Sequence, residues 1–295
     1  MENGRYCRTD LAVEWQQKDK GAGPPGVCFH ERREMDFRVY EMVIESQEGA
    51  AAVGRPEGLY LTFDLGRPWL LSDKRREEAR TLLARHIRRL CRAQWRSHGE
   101  DCLFVVGLGN REMTCEAIGP MTVERITVTR HVKRLDPALF ERLSHRSVAA
   151  ICPGVLGQTG LESAVTVKAV AETLEPGLIL VVDALAAKSS DRLACTVQLS
   201  TGGIAPGSGV GNDRPAFTRE SMGVPVLAIG VPMVVDSSTL VADALERAGI
   251  DELPKALLPV LENGRSFFVS LKEADAAAEA MASLLAEAID EAMSR

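Results

Sequence analysis

Apolar residues follow two spacings along this chain. Between about 73 and 96, Ala79, Leu82, Leu83, Ile87, Leu90 and Cys91 recur at helical spacing with Arg, Lys and Glu between them, which predicts an amphipathic helix. His86 falls on the same stripe and reads as a packing residue, with the arginines around it forming a solvated face. Farther on, near-continuous apolar runs take over: "CLFVVGLGN" (102–110), "SVAAICPGV" (147–155), "GLILVVDAL" (177–185), "LACTVQLS" (193–200) and "VPVLAIGVP" (224–232). Helical stretches at about 116–127, 161–174, 237–248 and 271–293 separate or follow them. Buried strands alternating with helices predict an α/β fold, a mostly parallel sheet with helices on both faces. Ahead of it, "RVYEMVIES" (38–46) and "LYLTFDL" (59–65) predict a β-rich N-terminal extension, and residues 1–25 a polar arm set off by the breaker cluster "GAGPPG".

Composition narrows the function classes. With 295 residues and 45% hydrophobic content the chain buries a sizeable core. A formal charge of −6 argues against a phosphate-binding surface and hence against direct nucleic-acid binding. The seven cysteines (7, 28, 91, 102, 115, 152, 195) are widely spaced, with no C-x-x-C pair, so neither a disulfide framework nor a zinc site is indicated; a reducing cytoplasm fits. No apolar stretch has signal-peptide form, and none reaches the roughly 20 residues of a membrane helix, so no membrane association is expected.

In such sheets ligands bind beyond the carboxyl ends of the strands. Two acids fall there: Glu116, shortly after the strand ending at Gly107, and Asp183, at the expected end of its own strand. On neighbouring strands they could share a proton, one ionised as base and one neutral as acid, and activate water for peptide hydrolysis without metal or cofactor. The plainer alternatives are an Asp that caps the next helix and a Glu in a helix's first turn. "GLGN" falls short of a dinucleotide fingerprint because Glu112 stands where a glycine is needed. The loop "IAPGSGVGND" (204–213), with Gly207, Ser208 and Gly209, offers backbone N–H groups to a bound peptide or is a plain strand connection. Asn110 is a further candidate for positioning substrate, and Lys188 either pairs with an acid or stands at the surface.

In order, "CLFVVGLGNREMTCEAIGPMTVERITVTRHV" (102–132), "PGVLGQTGLES" (153–163), "VVDALAAKSSDR" (181–192), "GIAPGSGVGN" (203–212) and "GVPVLAIGVPMVVD" (223–236) resemble the germination protease (spore protease) family, as does "RTDLAVE" (8–14). The resemblance implies an aspartic-type endopeptidase that starts the degradation of small acid-soluble spore proteins, works in the forespore and spore core, and forms a homotetramer. It also implies a self-processing zymogen, cut between an acid and an apolar residue followed by Ala. That pattern falls at Asp10, Leu11 and Ala12, which implies a propeptide of residues 1–10 and a single peptidase domain of 11–295. The family's catalytic acids fall on Glu116 and Asp183. Here "TCEAIGP" carries Glu where the family carries Asp, and a shift of roughly 1 Å can cost about a hundredfold in rate. "GLGN" and the following "EAIG" are also similar to hydrogenase maturation endopeptidases, which share a phosphorylase/hydrolase-like sheet and use such a Glu to hold a metal. The nearest third ligand here would be His131, and the metal-free pair is the preferred reading.

Overall fold

The chain, a computed structural model, describes residues 8–16, 23–96, 100–207, 214–250, 254, 256–263 and 267–294. Its centre is one mixed sheet. The strands are β1 (Val27–Glu34), β2 (Phe37–Ile44), β3 (Gly58–Asp64), β4 (Glu100–Gly107), β5 (Ser147–Ile151), β6 (Pro176–Ala187), β7 (Thr196–Ser200), β8 (Val226–Asp236) and β9 (Phe268–Val269). The spatial order is β1-β2-β3-β7-β8-β6-β4-β5, with β9 on β8.

The expectation of a mostly parallel sheet is corrected here: the sheet is mixed. Only β8, β6, β4 and β5 run parallel; β1, β2, β3 and β7 pair antiparallel, as do β7 with β8 and β9 with β8. The reason lies in connection length. Parallel neighbours need a crossover long enough to hold a helix, which Ser163–Leu174 supplies ahead of β6. The link from Lys188 to Cys195 is too short for one, so the chain folds back and β7 enters in the opposite sense.

Both faces of the parallel half are covered. On one, the helices Asp73–Gln94 and Ala274–Met293 bring Leu82, Leu83, Ile87, Leu285 and Ile289 against Leu103, Leu180, Val182 and Ile229. On the other, Val167 and Met222 cover Phe104, Val106, Ile179 and Val181. Each such side chain, fully buried, contributes roughly 1.5–3 kcal/mol. His86 is buried as its stripe position predicts; its Nε2 lies 3.0 Å from Glu34 and its ring packs on Phe63. The expected polar arm is corrected too. Thr9–Glu14 is packed into the fold, with Leu11 0% exposed, while residues 1–7 and 17–22 lie outside the described residues. β1 escaped the sequence reading because it is a half-exposed edge strand rich in charge, the composition that discourages edge-to-edge pairing.

The glycines of "GLGN" and "EAIG" serve close backbone approach. A Cβ on Gly119 would lie 2.3 Å from the Leu108 carbonyl oxygen and 2.5 Å from that of Val182; Gly109, at φ +112°, faces the carbonyl of Glu116. These contacts lay the short helix Ile118–Val123 directly on the end of β4 and the middle of β6. Gly119→Ala is therefore expected to destabilise the chain by about 1–3 kcal/mol. Gly157→Ala, where a Cβ meets nothing within 4 Å, should change stability by less than about 0.5 kcal/mol. Chemical denaturation of the two variants checks this; equal midpoints would contradict the close-approach account.

Candidate active site

β4 ends at Gly107, whose partner on β6 is Val182. Asp183 is the next residue and faces Gly230 of β8 across the other side. The sequence placed this acid at the end of its strand; β6 instead runs on to Ala187. It can do so because Leu185 and Ala187 find an apolar cover in Leu11, Val13, Leu193 and Val235. Alternation along the strand puts Ile179, Val181, Asp183, Leu185 and Ala187 on one face, so the carboxyl stands between two apolar clusters.

Asp183 is 6% exposed, and its Oδ1 accepts a hydrogen bond from the Ala184 N–H at 2.9 Å. Burial is the main reason its carboxyl is pushed up from 3.8 to about 8; the Ala184 N–H opposes the shift, the charges of Asp10 and Glu116 add to it, and Arg214 opposes it. At neutral pH this acid is mainly protonated.

Glu116 reaches the site from the other side of the β4 end. The predicted helix start at about 116 is displaced: Glu116 closes a single tight turn, Thr114–Glu116, and the helix begins at Ile118. The turn packs against β6 and β8. Half-buried, Glu116 bears on Asp183 through its charge, and no direct hydrogen bond joins the two acids among the described residues.

A third acid comes from the N-terminal segment. The Asp10 carboxylate accepts from the Ala186 N–H at 2.8 Å, and its own N–H donates to the Ala186 carbonyl at 2.8 Å. Gln198 grips the same segment: its Oε1 accepts from the Ala12 N–H at 2.7 Å and its Nε2 donates to the Asp10 carbonyl at 3.1 Å. Glu14, buried, accepts from the N–H groups of Lys188 and Ser189 at 2.7 and 2.9 Å and pairs with Arg192 at 3.5 Å. Beside this segment lies a cavity of about 120 Å³ lined by Asp10, Leu185, Gln198, Thr218, Ala228 and Gly230 among others.

The remaining candidates sit as follows. Asn110 Oδ1 accepts from the Glu112 N–H at 3.0 Å and from Gln158 Nε2 at 2.9 Å, which ties down the loop after β4. The Lys188 ammonium is buried against Glu246 and pairs with neither Glu116 nor Asp183. Gly207 has a left-handed backbone, φ +75°; Ser208 and Gly209 lie outside the described residues. His131 is corrected as a site candidate. It follows Arg130, which is bonded to Glu100 at the start of β4, the opposite end of that strand from Gly107. Among the described residues no group of three His, Cys, Asp or Glu side chains is arranged to hold a metal ion. Burial pushes the thiols of Cys91, Cys102, Cys115, Cys152 and Cys195 upward, to about 12 for Cys91, the reverse of what a thiolate nucleophile needs.

Sequence reading missed Gln198, Glu14, Arg192, Arg214 and the part Asp10's charge plays at Asp183. One signal was present. In "TVQLS" the polar residues Thr196, Gln198 and Ser200 alternate with Val197 and Leu199 in a strand buried along its whole length, so one of its buried faces is polar.

A buried, protonated carboxyl with a second acid bearing on it, beside a chain segment held by Gln198, suits acid–base hydrolysis. The comparisons name the family. The germination protease family model matches residues 8–248. The germination protease of Caldanaerobacter subterraneus subsp. tengcongensis is 43% identical over 241 residues, 81% of this chain and 72% of that protein. That of Clostridium perfringens is 38% identical over 272 residues, and that of Clostridium tetani 37% over 273, each covering 91% of this chain and 81% of the relative. The chain belongs to the germination protease family and is an endopeptidase.

Asp183 also makes stability depend on pH. An unfolded chain loses this proton near 3.8 and the folded chain near 8. Between those values the folded state binds more protons, so this group lowers stability as pH rises, by about 1.4 kcal/mol per pH unit. Its contribution is complete below the window and lost above it. Asp183→Asn should flatten the fall in unfolding free energy between about pH 5 and about pH 7.5; an unchanged slope would contradict the assignment.

Proposed function

We propose that the chain begins the degradation of small acid-soluble spore proteins during germination, and that Glu116 and Asp183 are its paired catalytic carboxylates. The observation that carries the reading is a buried Asp183 kept protonated beside a half-exposed Glu116. Glu116 takes a proton from water as the oxygen adds to the peptide carbonyl, while protonated Asp183 donates a hydrogen bond to the developing oxyanion. As the C–N bond breaks, the proton held by Glu116 passes to the leaving nitrogen.

The same reading makes residues 1–10 a propeptide, 11–295 the peptidase domain, and Asp10–Leu11 the self-processing bond. Asp10 is 7% exposed and Leu11 fully enclosed, next to Asp183, which favours the chain's own site over an outside protease. Unfolded small proteins supply chain free to enter such a site. A homotetramer in the forespore and spore core completes the proposal; exposed Leu161 and Val165 offer apolar surface for subunit contact. Direct DNA contact is not part of it, in keeping with the charge of −6. Among the described residues no helix is long and apolar enough to cross a membrane.

Incubation with a small acid-soluble spore protein tests the pair. Asp183→Asn and Glu116→Gln should each slow cleavage by about a hundredfold or more, and a chelator should leave the wild-type rate unchanged. The rate should fall as pH rises through about 8, where Asp183 gives up its proton. Near-normal cleavage by both variants, or its arrest by the chelator, would overturn the mechanism. N-terminal sequencing of matured protein should begin at Leu11, and an intact start in active protein would refute the processing site.

A further inference from the structure

The bond assigned above to self-processing is already seated. Its carbonyl is that of Asp10, and Gln198 Nε2 donates to it at 3.1 Å. The other end of the same amide accepts the Ala12 N–H at 2.7 Å. Since only the amide oxygen can accept from a backbone N–H, the amino group must face the Asp10 carbonyl.

Register strengthens the point. Gln198 on β7 is paired with Gly230 on β8, and Gly230 with Asp183 on β6. Directly paired residues share a face, so Gln198 and Asp183 lie on the same face of the sheet about 10 Å apart, two strand spacings. Between them stands Gly230, and the Leu185 side chain lies over it, its Cδ1 2.2 Å from where a Cβ on Gly230 would be. Gln198 is 6% exposed, so its amide acts away from water, where an oriented dipole is strongest.

We propose that Gln198 is a catalytic residue: it polarises the carbonyl of the bond to be cut and stabilises the negative charge that forms there, while its Oε1 fixes the peptide's register through the N–H two residues on. This rests on the reading of Asp10–Leu11 as a bond this site cuts. As the water oxygen bonds to the carbonyl carbon, the C=O pair moves onto oxygen and the hydrogen bond donated by Gln198 Nε2 strengthens. Gln198 exchanges no proton; that transfer runs from water to Glu116 to the Leu11 nitrogen, as the C–N bond breaks. A peptide bound in trans takes the place of Thr9–Glu14 and meets the same amide.

A residue that merely stapled the N-terminal segment would change stability and substrate affinity; a catalytic one changes turnover. The test uses the full chain as wild type, Gln198→Met, Gln198→Glu and Asp183→Asn. It follows the first-order appearance of the Leu11 N-terminus, and kcat and KM on a peptide carrying the Thr9–Glu14 sequence. Gln198→Glu keeps the acceptor for the Ala12 N–H and puts a carboxylate in place of the donor, so it serves even if Gln198→Met fails to fold. Both should lose roughly 10²- to 10³-fold in processing rate and kcat, as removal of one oxyanion donor does, with KM within about threefold. Processing and kcat within about threefold of wild type in Gln198→Glu would overturn the proposal. If Asp183→Asn is blocked while Gln198→Glu is not, the Gln198 assignment alone falls. A wild-type chain that never yields a Leu11 start, or an Asp183→Asn chain that yields it at the normal rate, overturns the underlying reading and this one with it.

Discussion

β4 stops one residue short of Asp183, and the chemistry of the site follows from that gap. A longer β4 would cover the carboxyl's neighbourhood with backbone; a shorter β6 would release the acid to solvent and return it to an ordinary carboxylate. As built, Asp183 is fixed by pairing to β8, flanked by apolar side chains on its own face, and open along one strand edge. Among the described residues no cation bonds directly to Asp183, and burial holds the proton on. The approach of Gly119 to the carbonyls of Leu108 and Val182 then brings the Glu116 turn to that edge. The two acids thus stand in unlike environments, Asp183 inside a strand where burial keeps it protonated and Glu116 on a half-exposed turn.

The N-terminal segment belongs to the same construction. Glu14 binds the N–H groups of Lys188 and Ser189 and faces Arg192, all on the short link that turns the chain from β6 towards β7. Leu11 and Val13 complete the apolar cover that lets β6 run past Asp183. The segment thus supports the antiparallel half of the sheet and also lays an acid beside the site. Its departure up to Asp10 would leave the Glu14 clamp in place and remove one of the charges that raise Asp183.

Much of this was legible in the sequence, for identifiable reasons. The helix Asp73–Gln94 announces itself by its stripe, and the buried strands β4, β6 and β8 by unbroken apolar runs. Strand sense was not legible, since periodicity carries no direction; the clue was the short link between β6 and β7. Glu116 and Asp183 were found as acids following apolar strands, but the persistence of β6 depends on Leu11 and Val13, far away in sequence. Gln198 could be suspected only from polar residues alternating along a wholly buried strand. The glycines of "GLGN" drew attention for the wrong chemistry, because a close backbone approach and a phosphate cradle ask for the same residue.

The central claim is that Asp183 is a neutral acid at physiological pH and that Glu116 helps to keep it so. Titration of the Asp183 carboxyl carbon by NMR, in the wild-type chain and in Glu116→Gln, tests it directly. The account predicts a wild-type midpoint near 8 and a lower one in the variant, where a neighbouring negative charge is gone. A midpoint near the ordinary 3.8 in both proteins would contradict it.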